Sequence, residues 1–450
     1  MDGDGATHRT AAQGIGRDAY RGAMPAEPRT EPPSPETEAP LRGTPGPAAP
    51  AVTTRAAGPA PAGSVLQPVT AGLVSALVAF TSSFVVVLSG LEGVGASPAQ
   101  AASGLVAVSV LMGLGSIVLS LRTRLPITVA WSTPGAALLA TTGAISGGWS
   151  AAVGAFLVVG ALIMLTGLIP QLSRLISRIP TAIAQAMLAG VLLQLCLGPV
   201  TGLMENPLGV APVVVVWALA SRFAPRWAAP LAFLTATAVI VTAMASSGTG
   251  LSPAALVPRL ELTAPTLSLG ALVGIALPLY LVTMASQNVP GVAVMKGLGY
   301  EVPWRSSMLV TGAGSLLGAP AGGHGINLAA ISAALAAGPE AGPDRDRRWI
   351  ASLTAGIAMV VLGLAATAAA QLIAVAPAGV IAAVAGLALI GTFASALRGA
   401  LADASEQLPA AATFIVAASG IAAFGVSAAF WALLSGLALH GILRRRTPRP

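Results

Sequence analysis

Two runs of this 450-residue sequence place hydroxyl, carboxamide and imidazole groups among glycine and proline in apolar surroundings. The first holds Pro126, Ile127, Trp131, Ser132, Thr133, Pro134 and Gly135. Ile127 to Trp131 suits an extended strand, and Ser132 or Thr133 can cap a helix whose first turn holds Pro134. A strand leading into a half-helix inside a bilayer leaves N–H groups that must find partners. A bound anion satisfies them and meets the positive end of the helix dipole. The same run also reads as a proline kink satisfied by neighbouring helices. The second run holds Gly318, Pro320, Gly322, Gly323, His324, Gly325, Asn327 and Ser332. Its glycines argue for irregular backbone, and Asn327 can cap a second half-helix running toward Gly338. His324 titrates near physiological pH and sits deep in an apolar segment, where ionisable groups mark transport pathways. Proton coupling or substrate contact is the expectation, against a satisfied structural histidine. Gln287 and Asn288 lie side by side just before Pro290 and Gly291. They read either as a polar pocket wall or as hydrogen-bonding glue between helices. Thr81, Ser82 and Ser83 are weaker candidates for the same wall.

The elements that must position these residues are membrane spans. Hydrophobic residues make up 55% of the chain and charged residues 9%, against roughly 25% charged in soluble domains. Mean hydropathy is +0.82. Apolar runs of about 18 residues recur, which excludes a soluble enzyme, a disordered chain, a nucleic-acid binder and a β-barrel. Spans are expected near 67–90, 98–121, 149–170, 181–199, 208–221, 228–246, 266–290, 306–318, 349–370, 375–397, 408–424 and 427–443. Segments 127–142 and 321–337 are two further, broken spans, giving an all-α polytopic protein with fourteen crossings. With the N-terminus inside, sixteen Lys and Arg residues beyond the tail fall in inner loops, and Arg259 alone falls outside. That bias places both termini in the cytoplasm of a multi-pass cell-membrane protein.

Fourteen crossings divide into two sevens, and an odd repeat must be inverted. The broken spans are third in each half, the arrangement that points to a transporter binding site. The expected organisation is a first repeat over 64–256, a second over 257–443, and a basic end at 444–450. Residues 1–63 carry eleven of the 35 prolines and few large aliphatics, so a disordered cytoplasmic tail is expected there. Metalloprotease, phosphate-loop and nucleophile-elbow patterns are absent from the sequence, as is a Cys/His metal cluster. Neither catalysis nor a metal or cofactor is expected. Cys196, the sole cysteine, reads as a small buried hydrophobe.

Three motifs carry a specific resemblance: Ala130 through Ala136, Ala285 through Gly291, and Gly322 through Ile331. A fourth is Ala337 through Asp344 with the arginines and Trp349 that follow. Over about residues 65 to 443 the chain resembles the benzoate:proton symporter (BenE) family. The resemblance implies import of benzoate or a related aromatic carboxylate, driven by protons. It further implies a nucleobase-transporter-like fold, with segments one to four and eight to eleven as core and the rest as gate. A homodimer and an elevator movement of core against gate follow from the same likeness. Nucleobase transporters carry glutamates on the eighth and tenth segments. This chain offers Gln287 and the pair His324 and Asn327 there, which disfavours a nucleobase permease. An anion exchanger or channel of the same fold is the other alternative. The expected substrate site comprises Ser132, Thr133, Pro134, Gly135, Gln287, Asn288, Gly325 and Asn327, with Phe80 against the ring and His324 coupling the proton.

Overall fold

A computed structural model describes residues 65–444, apart from 144, 177, 249–256, 331, 422 and 424–425. The expected tail and the basic residues after Arg444 lie outside the described residues. Among those described, eight helices are long and apolar enough to cross a membrane. The first is α1, Leu66–Gly93, followed by α2, Pro98–Thr123. Ser97 opens α2 with a capping box, its hydroxyl accepting from Gln100 N–H while the Gln100 side chain accepts from Ser97 N–H. Strand β1, Val129–Trp131, leads into the half-helix α3, Thr133–Thr142, and then α4, Gly148–Leu168. Helices Thr181–Glu205, Pro207–Phe223 and Ala228–Ser247 complete the first seven crossings. The second seven repeat the plan. They are Leu269–Gly297, Trp304–Gly318, the broken segment with strand β2 (Ile326–Leu328), Trp349–Leu364 continuing into Ala366–Ala374, Val380–Ala400, Gln407–Ala418 and Ala428–Arg444. The fold is two inverted seven-segment repeats.

Packing separates the helices into two bundles. In the first, α2 runs along Trp349–Leu364, α4 along Trp304–Gly318, and α1 against both α3 and Trp349–Leu364. In the second, Thr181–Cys196 packs on Val380–Ala400 and Gln407–Ala418, and Pro207–Phe223 on Ala228–Ser247. Small residues permit the close approaches, as membrane helices require. A Cβ on Gly113 would stand 2.6 Å from Gly356 O, and one on Gly356 would stand 2.7 Å from Gly113 O.

The two broken segments meet. β1 and β2 pair antiparallel, with Val129 opposite Leu328, Ala130 opposite Asn327 and Trp131 opposite Ile326. Two short strands inside a bilayer leave edge groups that must be satisfied. Serines at matching places in the two halves do this. Ser116 Oγ, on α2, accepts from Val129 N–H at 2.8 Å, and Ser315 Oγ, on Trp304–Gly318, accepts from Ile326 N–H at 2.9 Å. Each hydroxyl also donates back to its own helix, to Met112 O and Thr311 O respectively. This paired device follows directly from the inverted repeat.

The sequence expectation for the second broken segment needs correction. Asn327 does not cap a half-helix; it sits in β2. Its helix is only Ala333–Ala337, and the N-cap residue is Ser332. The local Asn signal loses to strand pairing, because the backbone at Asn327 pairs with Ala130 of β1 while Ser315 and Asn288 take the N–H groups of Ile326 and Leu328 on either side. Arg348 finishes the segment from below, donating to Ala337 O and Gly342 O at 2.9 and 2.8 Å.

Candidate functional site

Leu269–Gly297 is not a uniform α-helix. Leu272–Ala276 and Met284–Asn288 are π-helical, and a proline follows each by one residue, Pro278 and Pro290. Proline lacks an N–H and crowds the carbonyl four residues back, so the preceding turn widens. The second π-turn carries Gln287 and Asn288, and it sends them to different neighbours. Asn288 is fully buried. Its Oδ1 accepts from Leu328 N–H at 2.9 Å and its Nδ2 donates to Met284 Sδ at 3.2 Å. Gln287 is 9% exposed and its carboxamide has no hydrogen-bond partner among the described residues.

At the start of α3, Ser132 is the N-cap and its Oγ accepts from Gly135 N–H at 3.1 Å. The same Oγ lies 2.7 Å from Thr283 Oγ1. Pro134 has no N–H, so among the first three helical positions only Thr133 N–H lacks an acceptor of this kind. Ser132 is held from β2 as well. Its N–H donates to Gly325 O at 3.2 Å. With the Asn327 carboxamide turned to match its surroundings, Oδ1 accepts from Ser132 N–H at 3.0 Å and Nδ2 donates to Leu328 O at 2.8 Å. His324 is fully buried, and its Nε2–H donates to Ser132 O at 3.1 Å, an oxygen that also accepts from Ala136 N–H. The carbonyl can only accept, so the neutral ring carries its hydrogen on Nε2. Nδ1 has no partner.

A cavity of about 470 Å³ opens beside this crossing. That volume lies in the range of roughly 300–1,000 Å³ typical of small-molecule sites. Thr133, Gln287 and Ser332 supply hydroxyl and carboxamide groups from the first bundle. Ser82 and Ser83 of α1 reach it too, though Ser83 Oγ accepts from Trp131 Nε1 at 3.0 Å and both hydroxyls donate to Ala79 O. Val78, Met112, Trp131 and Leu335 form apolar wall. The second bundle closes the far side with Ala388, Leu389, Gly391, Thr392 and Ser395 of Val380–Ala400. None of the lining residues is acidic, basic or histidine.

Of the expected site residues, Thr133 and Gln287 therefore stand on the wall. Ser132, Pro134, Gly135, Asn288, His324, Gly325 and Asn327 lie behind it and hold the crossing in shape. Gly325 and Asn327 do not form a helix start, since both belong to the strand connection. Phe80 is also behind the wall. It stacks on Phe84 at 5.1 Å and meets Trp131 edge-on at 5.8 Å, so Trp131 presents the ring surface expected from Phe80. The wall of the second bundle went unnoticed in the sequence. Alanine, glycine and single hydroxyls at those positions look like ordinary helix packing, and only their spacing of three and four residues hints at a shared face.

The model of a family described as benzoate membrane transport protein matches residues 63–442. The chain is 36% identical over 373 residues to the inner membrane protein YdcO of Escherichia coli K12, covering 83% of this chain and 95% of that one. It is 31% identical over 377 residues to the benzoate membrane transport protein of Acinetobacter baylyi, covering 83% and 94%. Among solved structures it resembles the transmembrane domain of a cyanobacterial bicarbonate transporter, BicA, with a TM-score of 0.52 at 15% identity over 84% of this chain and 97% of that one. It also resembles SLC26A9, with a TM-score of 0.55 at 13% identity, covering 84% and 65%.

Proposed function

The chain belongs to the benzoate membrane transport family, and from that membership we propose that it imports benzoate or a closely related aromatic carboxylate by proton symport. The chain is a multi-pass membrane transporter. One observation carries it: an uncharged, two-sided cavity beside the start of α3, polar at Thr133, Gln287 and Ser332 and apolar at Val78, Met112 and Trp131. The two faces match the two ends of a benzoate ion. The carboxylate takes hydrogen bonds from Thr133, Gln287 and Ser332 and meets the positive end of the α3 dipole. The ring lies on Trp131 and the aliphatic wall.

Proton coupling is assigned to His324, the only ionisable side chain in the two crossing segments 126–142 and 318–338. Its Nε2–H is committed to Ser132 O, and its open Nδ1 lone pair receives the proton. A proton there and a carboxylate at the α3 start stabilise one another, so each raises occupancy of the other. The doubly loaded core carries no net added charge, which lowers the cost of crossing a low-dielectric barrier. The core of segments one to four and eight to eleven then moves against the gate in an elevator-like step, carrying Thr133 and Gln287 past Val380–Ala400. The remaining assignments are a homodimer, repeats divided between residues 256 and 257, and both termini in the cytoplasm.

The test is uptake of labelled benzoate into proteoliposomes with an imposed pH gradient, acidic outside, corrected by empty liposomes. Accumulation above equilibrium that a protonophore abolishes is expected. Protein-dependent uptake that ignores the gradient overturns symport.

A further inference from the structure

The helix Val380–Ala400 contains three glycines, Gly386, Gly391 and Gly399. Two have structural reasons to lack a side chain. A Cβ on Gly386 would stand 2.6 Å from Leu195 O, and one on Gly399 would stand 3.0 Å from Gln185 Cγ. Gly391 differs. A Cβ there would meet nothing within 4 Å, and its φ is not in the left-handed region. Glycine in the middle of a helix weakens it relative to alanine, since the chain gives up more freedom on ordering. At Gly391 neither packing nor backbone geometry compensates. What Gly391 borders is the cavity.

Its neighbours on that border are Ala388, Thr392 and Ser395, spaced three and four residues apart on one helix face. The side chains of Thr392 and Ser395 make no hydrogen bond among the described residues, as is true of Gln287 on the opposite wall. Gln287 is more than nine-tenths buried and unpartnered, and it lines this same space, so the space between the bundles is built to receive a polar ligand.

We infer that Gly391 sets the size limit of the transported aromatic carboxylate, by leaving open the part of the cavity where ring substituents point toward the gate helix. The inference rests on the proposed substrate class and adds its steric boundary. The carboxylate is anchored at Thr133 and Gln287, so the ring extends away from the α3 start toward Val380–Ala400. Each carbon added at position 391 then removes room from the ring's outer edge without touching the anchor. A hydrophobic pocket discriminates one methylene by about 10- to 200-fold, so the effect is readable.

The experiment measures uptake of benzoate and of 4-methyl-, 4-ethyl- and 4-tert-butylbenzoate by proteoliposomes of wild type, Gly391→Ala, Gly391→Val and Ala388→Gly. Gly441→Ala is the control, since a Cβ there also meets nothing and the position does not line the cavity. The expected result is a benzoate-to-4-ethylbenzoate uptake ratio that rises about tenfold in Gly391→Ala, and further in Gly391→Val. Ala388→Gly should shift the ratio the other way, and Gly441→Ala should leave it unchanged. Thermal unfolding in detergent checks folding, and Ala388→Gly keeps the test decisive if Gly391→Val folds poorly. Ratios equal to wild type in folded Gly391→Ala and Ala388→Gly overturn this inference alone. A wild type that takes up no aromatic carboxylate overturns it together with the proposed substrate.

Discussion

Adjacent carboxamides divide the labour between pocket and scaffold. Gln287 faces the cavity with its hydrogen bonds unspent, while Asn288 spends both of its groups on Leu328 N–H and Met284 Sδ. Gln287→Leu should therefore weaken benzoate binding roughly tenfold with little change in thermal stability, as fits a lost bond to a charged group. Asn288→Leu should do the reverse first. It strands Leu328 N–H and costs on the order of 1–3 kcal/mol of stability, read as a lowered unfolding temperature in detergent. Equal stability of the two variants would remove this distinction. Thr133→Val keeps the shape and deletes the hydroxyl, and a weakening of roughly 10-fold or more in equilibrium benzoate binding is expected. For His324→Asn, gradient-driven accumulation should vanish while benzoate counterflow across the membrane survives. Retained accumulation would take the proton away from His324.

At the scale of elements, the crossing of β1 and β2 organises everything else. Its edges are closed by Ser116 and Ser315, one from each repeat. Ser315→Ala leaves Ile326 N–H buried and unmet, so a loss of roughly 1–3 kcal/mol is expected, visible in thermal unfolding. Both broken segments were legible in the sequence, because glycine, proline and β-branched residues interrupt apolar runs wherever the backbone must leave the helix. The extended run before Ser132 and the serine cap of α3 were equally legible, since caps and prolines are local signals. Asn327 misled because strand pairing is a long-range choice, and an asparagine after glycines signals a cap only when no partner strand competes. Asn288 and His324 carried a pocket signal and a scaffold signal at once. Only the π-turn at Met284–Asn288 and the bond to Ser132 O place them behind the wall. The cavity face of Val380–Ala400 was invisible for a different reason, since a cavity between bundles is bounded by what side chains leave empty.

For the whole molecule, the inverted repeat brings residues of both halves, Val78 to Thr133 and Gln287 to Ser395, to the wall of one cavity. The segment after residue 256 ties those halves at one end of the bundles. Glu261 N–H donates to Ser103 Oγ, Thr263 N–H to Pro320 O, and Thr266 N–H to Ser150 O. The orientation proposed from the distribution of Lys and Arg has this end outside and the arginine-rich turn near Arg347 inside. In a background where Cys196 is replaced by alanine, Glu261→Cys in intact cells should react with a membrane-impermeant thiol reagent. Arg347→Cys should react only after permeabilisation, and the opposite pattern would reverse the assigned orientation. In the proposed symport, substrate and proton would enter on the Glu261 side and leave on the Arg347 side.

The central claim is that the carboxylate of the substrate is held at the start of α3, between the strand crossing and the gate helix. A structure of the protein determined with benzoate bound tests it most directly. The account expects the carboxylate within hydrogen-bonding distance of Thr133 and Gln287, with the ring between Trp131 and Gly391. Benzoate bound elsewhere, with this cavity empty, would contradict it.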